Sequence, residues 1–293
     1  MKIKNSFGYS CFTVFNTIFM VLLCIVTLYP LLFVVFASLS ESNAFMMHEG
    51  LLLWPVKPNF ESYLRVIENP MIWSGYRNTL VIMTVGTCTN MVMTILGAFF
   101  MSRKDVKGVG LFSKFIVFSM YFSGGLIPTY LNIRQFGLDG SFWALIIPFA
   151  VNTYNMIIMR TAFASVPDSL EESATLDGAN AFTVLTRIIL PLSGSTIAVV
   201  ILYYVVGHWN AWFYASLFLR KREQWPLQLV LNEILMQNST NSMLGDTTSL
   251  EAGSVAETIK YAVIVVSTIP ILLAYPFLQR YFVKGVMVGA VKG

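Results

Sequence analysis

The chain has 293 residues, 56% of them hydrophobic and 12% charged, with a formal net charge of +4. A soluble domain usually carries about 25% charge; half that level, with apolar runs of about 20 residues, marks an all-α integral membrane protein and excludes an ordinary soluble globule. The small net charge gives no ground for a nucleic-acid partner. The three cysteines (Cys11, Cys24, Cys88) have no motif spacing and read as small buried hydrophobes rather than disulfides or metal ligands.

Six apolar runs follow in chain order, at about 12–37, 79–101, 110–131, 142–163, 195–219 and 258–282. Each is near the length a helix needs to cross the hydrocarbon core. Helices are expected because a lone strand would leave backbone groups unpaired in lipid. The first run is much longer than the 7–15 residues of a signal-peptide core, so it reads as a retained span. Gly86, Gly97, Gly124, Gly125, Pro128, Pro148, Gly207, Pro270 and Pro276 fall inside the runs. Such residues serve packing and kinks in membrane helices; in the third and sixth runs they also suit a deformable pathway.

Lys and Arg near the membrane ends set orientation. Counted on alternate sides, eleven of the 19 lie on the side of the N-terminus, and the remainder sit on much longer loops. The cluster Arg220-Lys221-Arg222 opposes this assignment. On balance a multi-pass protein with both termini cytoplasmic is expected, with a cytoplasmic loop at 165–193, outward loops at about 38–78 and 220–257, and a cytoplasmic tail at 283–293.

The 165–193 loop is the one patterned polar segment. Pro167 and Asp168 end the preceding span. Ser169 and Glu172 have capping-box spacing, which predicts a helix start, and Glu171 and Glu172 lie in a first turn favoured by the helix dipole. Gly178 permits a turn. A second short helix, 182–190, carries Phe182, Leu185, Ile188 and Ile189 on its apolar face, and Pro191 is expected to stop it. The residues alone allow either an interfacial helix resting on headgroups or a bracket that fits another protein.

The run from Glu172 to Pro191, E-S-A, three residues, G, nine residues, I-x-L-P, closely resembles the EAA loop of ABC importer permeases. Ser173 stands where the family has its first Ala. The flanking L-E-E-S-A-T-L-D-G-A resembles maltose-type sugar importers. The C-terminal residues Gln279–Gly285 and Gly289–Gly293 resemble the tail of one maltose-type permease subunit. GHWNAWF at 207–213 with WPLQLVLNEIL at 225–235 resembles the branch for oligosaccharides and polysaccharides. The resemblance covers essentially the whole chain, read as a single permease domain over 1–293, with about six transmembrane helices and the coupling loop between helices 4 and 5.

The resemblance implies a bacterial cytoplasmic-membrane location and an importer of an oligosaccharide or polysaccharide, including acidic ones such as alginate or pectin fragments. It implies a homologous second permease, an ATPase dimer and an extracytoplasmic solute-binding protein as partners, beside membrane lipid. ATPase coupling would fall to Glu171, Glu172, Ser173, Ala174, Asp177, Gly178, Ile188, Leu190 and Pro191. The tail residues Lys284, Gly285, Gly289, Lys292 and Gly293 would reach the ATPases. No cofactor is expected in this chain; ATP and Mg would bind the partner ATPases. The sequence has no G-x-x-x-x-G-K-[ST] loop and no H-E-x-x-H, so no catalytic or metal site is expected.

Substrate-pathway candidates are Tyr154, Asn155, Tyr204, His208, Trp209, Asn210 and Trp212. Aromatic faces suit sugar C–H surfaces, and polar groups inside membranes usually face a bundle interior or cavity; against this, Trp and Tyr also form interfacial belts. Arg134 and Lys260 could meet an acidic sugar or snorkel to the interface. Alternatives are an ABC permease for a simpler neutral sugar or other small solute, an ion-coupled carrier, and a membrane-embedded enzyme. A carrier usually shows internal repeats and deep charges, and an enzyme needs an acid/base or metal cluster; neither pattern is evident.

Overall fold

A computed structural model describes residues 7–103, 105–244, 257–273 and 276. Its helices in chain order are α1 (Phe7–Ser38), α2 (Ser42–Met46), α3 (Glu61–Glu68), α4 (Pro70–Ser102), α5 (Val109–Tyr121), α6 (Leu126–Gln135), α7 (Trp143–Ile146), α8 (Thr153–Phe163), α9 (Asp168–Leu176), α10 (Ala181–Val184), α11 (Leu190–Leu192), α12 (Gly194–Trp209), α13 (Phe213–Phe218) and α14 (Leu227–Leu244). A further helix, α15, spans 257–273. A π-helical turn (Leu185–Ile189) joins α10 to α11, and a 3-10 turn (Arg222–Gln224) precedes α14. Among the described residues no strand is present.

Among the described residues two helices, α1 and α4, are long and apolar enough to cross a membrane unaided, and the count rises to four if each bent pair is one span. The six uninterrupted runs expected from hydropathy are therefore not all single helices. The third breaks at Phe122–Gly125, where α5 and α6 meet at 114°; the break carries Gly124, Gly125 and, one turn on, Pro128. The fourth breaks around Pro148 into α7 and α8, since proline removes a helical donor and clashes with the carbonyl four residues earlier. The fifth stops at Trp209 and resumes as α13. The sixth is helical through 273, and its expected end at 282 lies outside the described residues.

Two compact units divide the chain. The first contains α1 to α3, α14 from Glu233 onward and α15 through Ile269. Within it, Tyr261 packs edge-on against Phe33 and Phe45, with centroids 5.7 and 5.6 Å away. The Ser62 hydroxyl donates to Thr258 Oγ1 at 2.9 Å, and the Ser38 and Tyr63 hydroxyls are 2.7 Å apart. Most of α1 is exposed and apolar on all sides, as expected of a helix bathed in lipid. Cys11, Cys24 and Cys88 are all exposed rather than buried: Cys11 and Cys24 ride on α1 and Cys88 on an outer face of α4, where lipid can replace a protein interior.

The second unit is organised around α4, against which α8 and α12 pack. Lipid supplies no hydrophobic drive between helices, so close fit and hydrogen bonds hold them. Met91, Ala98 and Met101 of α4 meet Met156, Met159 and Phe163 of α8 and Val200 of α12. Methionine suits such a contact because its unbranched side chain adapts to irregular gaps. The buried Thr94 and Tyr204 hydroxyls are 2.6 Å apart across α4 and α12. A second cluster, nearer the start of α4, joins Ile82, Ile133, Leu145, Phe218 and Leu229.

Candidate functional site

The loop at 165–193 is a helical bracket, and its bonds explain its sequence. Helix α9 begins at Asp168 after Pro167, with no side-chain cap. The expected capping box at Ser169 and Glu172 does not form, because the helix starts one residue earlier. The end of α9 is a Schellman turn: Ala179 N donates to Ala174 O at 2.9 Å and Gly178 N to Thr175 O at 3.0 Å. Gly178 occupies the left-handed position of that turn, with φ +85°; a side chain there would be strained. Asn180 then caps the next helix, its Oδ1 accepting from Thr183 N at 2.8 Å.

Pro191 does not stop the second helix, as the sequence had suggested. The π turn at Leu185–Ile189 widens the helix just before the proline, and helical structure continues to Leu192. The chain then turns by 85° into α12. Val184, Leu185 and Ile189 are buried in the α4–α8–α12 core, with Ala174, Ala179 and Leu190 packed against it. This face anchors the bracket, and Ile188 is only partly exposed.

The opposite surface is unusual for a polar loop. Leu176 is 89% exposed and Phe182 69% exposed, beside the exposed Glu172, Ser173, Asp177 and Gly178. Glu171 differs from its neighbour. It receives a bidentate pair of bonds from Arg103, the residue that follows α4; Arg103 Nη1 donates to Oε2, and Nη2 donates to Oε1 at 3.0 Å. Arg103 was legible only as one of the basic residues flanking a span.

The bracket and the segment 218–227 lie at opposite ends of α4. Asn78 Nδ2 donates to Glu223 O and Trp225 O at 2.7 and 3.1 Å, while Arg103 meets Glu171. Asn78 and Ser102 are separated by about 36 Å of helix at 1.5 Å per residue. At the Asn78 end, Arg220 Nη2 donates to Asp139 Oδ2 at 2.9 Å, and this raises the Arg220 pKa above its ordinary value, mainly through the hydrogen bond and charge of Asp139. Arg134 lies 5.7 Å over the Tyr130 ring and Arg222 5.4 Å over Trp225. Lys260, in the first unit, is paired with Glu257.

The pathway candidates separate. Tyr204 and Trp209 are buried, in the core and against Tyr76 (centroids 6.3 Å apart) respectively. Asn155 is also buried, and Tyr154 is exposed. His208 sits between α12 and α4. Asn90 Nδ2 donates to Phe149 O at 2.7 Å, which leaves its Oδ1 to accept from His208 Nε2 at 2.7 Å. Gly86 makes room for that ring: a Cβ there would stand 2.6 Å from it. Asn210 Nδ2 donates back to Val206 O at 2.9 Å, and Trp212 stacks edge-on with Phe213 at 5.8 Å. Asn90 had no sequence signal beyond lying in an apolar run, whereas Gly86 was legible as a packing glycine, though not its partner. The tail residues Lys284, Gly285, Gly289, Lys292 and Gly293 lie outside the described residues. Among the described residues no group of His, Cys, Asp or Glu could hold a metal.

The long apolar helices, the bent pairs and the anchored bracket are those of a multi-pass helical membrane protein. No family model matches the chain. It is 37% identical to the polygalacturonan/rhamnogalacturonan transport system permease protein YtcP of Bacillus subtilis (strain 168) over 277 residues, covering 94% of this chain and 96% of the relative. It is 38% identical to protein LplC of the same organism, covering 96% and 95%. A solved bacterial ABC transporter involved in import of the acidic polysaccharide alginate contains a chain that superposes with a TM-score of 0.86 at 31% identity, covering 96% of this chain and all of that one. A chain of the alginate transporter crystallised with an alginate pentasaccharide-bound periplasmic protein has a TM-score of 0.63 at 17% identity, a likeness of fold alone. The chain belongs to the carbohydrate ABC importer permeases, the maltose-type family. It is a permease of a binding-protein-dependent carbohydrate importer and a non-catalytic component of it.

Proposed function

We propose that this permease moves an acidic oligosaccharide or polysaccharide across the bacterial cytoplasmic membrane by alternating access, driven by ATP hydrolysis on partner subunits. The observation that carries the coupling half is the bracket: one face is locked into the core, and the other leaves Leu176, Phe182 and Glu172 exposed. A membrane-anchored loop that exposes large apolar side chains beside a carboxylate fits a groove on another protein better than it fits water. On this reading Glu172, Ser173, Asp177 and Gly178 meet the ATPase, and Ala174, Ile188, Leu190 and Pro191 hold the bracket to the spans. ATP and Mg bind the ATPase dimer, not this chain.

The acidic substrate is supported by the relatives' names and by the far end of α4, where Arg134, Arg220 and Arg222 lie with Tyr130 and Trp225. Guanidinium groups bind carboxylates and aromatic rings stack on sugar faces. That end would face outward, toward the solute-binding protein. The whole chain acts as one permease domain beside a homologous second permease, a reading supported by relatives that cover 94% and 96% of it. Six spans with cytoplasmic termini fit the even count of apolar runs and the bracket's position opposite 218–227. The tail from Lys284 to Gly293 reaches the ATPases.

Purification of the complex from its native membrane tests this. An ATPase and a second permease should come with the chain, and the cognate binding protein should be stabilised by uronate oligosaccharides over neutral ones. Glu172→Lys or Gly178→Arg should leave insertion intact and abolish transport-stimulated hydrolysis. Cysteines at Asn180 and Ser242 should label from the cytoplasm and the outside respectively. Normal transport by both variants, or reversed labelling, would remove the coupling assignment.

A further inference from the structure

We propose that the Arg103–Glu171 pair is the strap that ties the docking helix to the long span, so that two adjacent carboxylates divide the work. Glu171 faces inward and passes displacement to α4; Glu172 faces outward and meets the ATPase. The inference rests on the coupling reading above. Helix α9 contributes no fully buried residue; its apolar contact with the core is the small, partly buried Ala174 near its end, so packing alone holds it weakly. A cleft of about 770 Å³ opens between α9 and the end of α4, with Phe99, Ser102, Arg103, Glu171 and Thr175 among its lining. The ion pair crosses that cleft. Its side chains are only 18% and 17% exposed, so water screens it weakly.

The arginine is itself held in place. Its Cζ lies 4.6 Å over the Phe99 ring, and its Nε and Nη2 donate to Ser102 Oγ at 3.3 and 3.2 Å. The end of α4 is fixed in turn by Arg160 of α8, whose Nε donates to Met101 O at 3.0 Å. A two-bond fork resists rotation as well as separation, which a single bond or an apolar touch would not. A push on α9 is therefore delivered to the last turn of a 33-residue helix. The downstream half of the bracket has its own route through Ala174 and Ala179 into the core, so loss of the strap should leave the bracket folded while it decouples α4.

The test uses the complete complex, with Cys11 and Cys24 replaced by serine and an environment-sensitive fluorophore on the exposed Cys88 of α4. ATP with vanadate traps the closed ATPases without any sugar. Arg103→Glu and Glu171→Arg should keep the ATPase bound yet reduce the Cys88 response at least about fivefold, the lower range of measurable coupling. The exchanged pair, Arg103→Glu with Glu171→Arg, should restore it. Glu172→Arg should instead lose the ATPase. A wild-type response from either single variant, or no recovery in the exchanged pair, overturns the strap. If a single variant does not fold, Glu171→Gln replaces it under the same criterion. If the wild-type chain brings no ATPase, the coupling reading itself fails; the strap is then decided by amide exchange across Asp168–Leu176 in the permease alone, where unchanged exchange in Glu171→Gln overturns it.

Discussion

The two ends of α4 carry the same kind of bridge in different settings. At one end Arg103 grips both oxygens of Glu171 with side chains 18% and 17% exposed. At the other Arg220 touches one oxygen of Asp139, with side chains 59% and 24% exposed, and Asp139 Oδ1 has no partner among the described residues. Exposed pairs are worth little because water and salt screen them and ordering long side chains costs entropy. A shielded bidentate pair is costly to break because the surviving charge is stranded. The same pairing of guanidinium and carboxylate thus makes a rigid link at the bracket and a yielding one at the far end.

The comparison can be broken by experiment. Arg103→Ala should have the largest effect, opening α9 by about 3 kcal/mol, the lower figure for breaking a buried pair, which appears as roughly 100-fold faster amide exchange over Asp168–Leu176. Gly178→Val should follow, at about 2 kcal/mol for forcing a branched residue into the left-handed region, read as faster exchange at 177–180 and weaker recovery of the ATPase on purification. Asn180→Ala should cost about 1 kcal/mol as a lost helix cap, confined to exchange over Ala181–Val184.

Arg220→Ala should change least, with faster exchange near Asp139 that disappears at about 1 M salt, where the Debye length falls to about 3 Å. Its pH dependence has a definite sign. The Arg220 pKa is raised in the folded chain, so its contribution is fully present below the ordinary arginine value and is lost only as pH rises through the higher folded value. Between neutral and mildly alkaline pH the Arg220 contribution should stay flat. An Arg220→Ala effect as large as that of Arg103→Ala would erase the contrast between the two ends.

Much of the bracket was legible in one dimension. Gly178 and the turn it permits were readable because only a few residues tolerate a left-handed backbone, and the structure puts it at φ +85°. The apolar face expected from Phe182, Leu185, Ile188 and Ile189 is only partly right: Leu185 and Ile189 are buried and Ile188 half-buried, but Phe182 is 69% exposed because the helix turns it away from the core. The caps were less so: the helix starts at Asp168 rather than Ser169 because Pro167 already fixes the entry, and Pro191 is carried by a π turn instead of ending the helix. Which aromatic residues of the fifth span are buried could not be read at all, since Tyr203 through Tyr214 contains apolar and polar residues on every face.

The sequence by itself determined a helical membrane protein, the bracket and the family, because apolar run length, glycine spacing and the I-x-L-P register are local properties. Tertiary structure decided where spans break, which of two neighbouring glutamates is engaged, and that His208 is held by Asn90 over Gly86. The reason is physical: a helix fixes each residue's neighbours three and four positions away, but Glu171 and Arg103 are 68 positions apart. Their meeting depends on how α4, α8 and α9 pack, which no local pattern encodes.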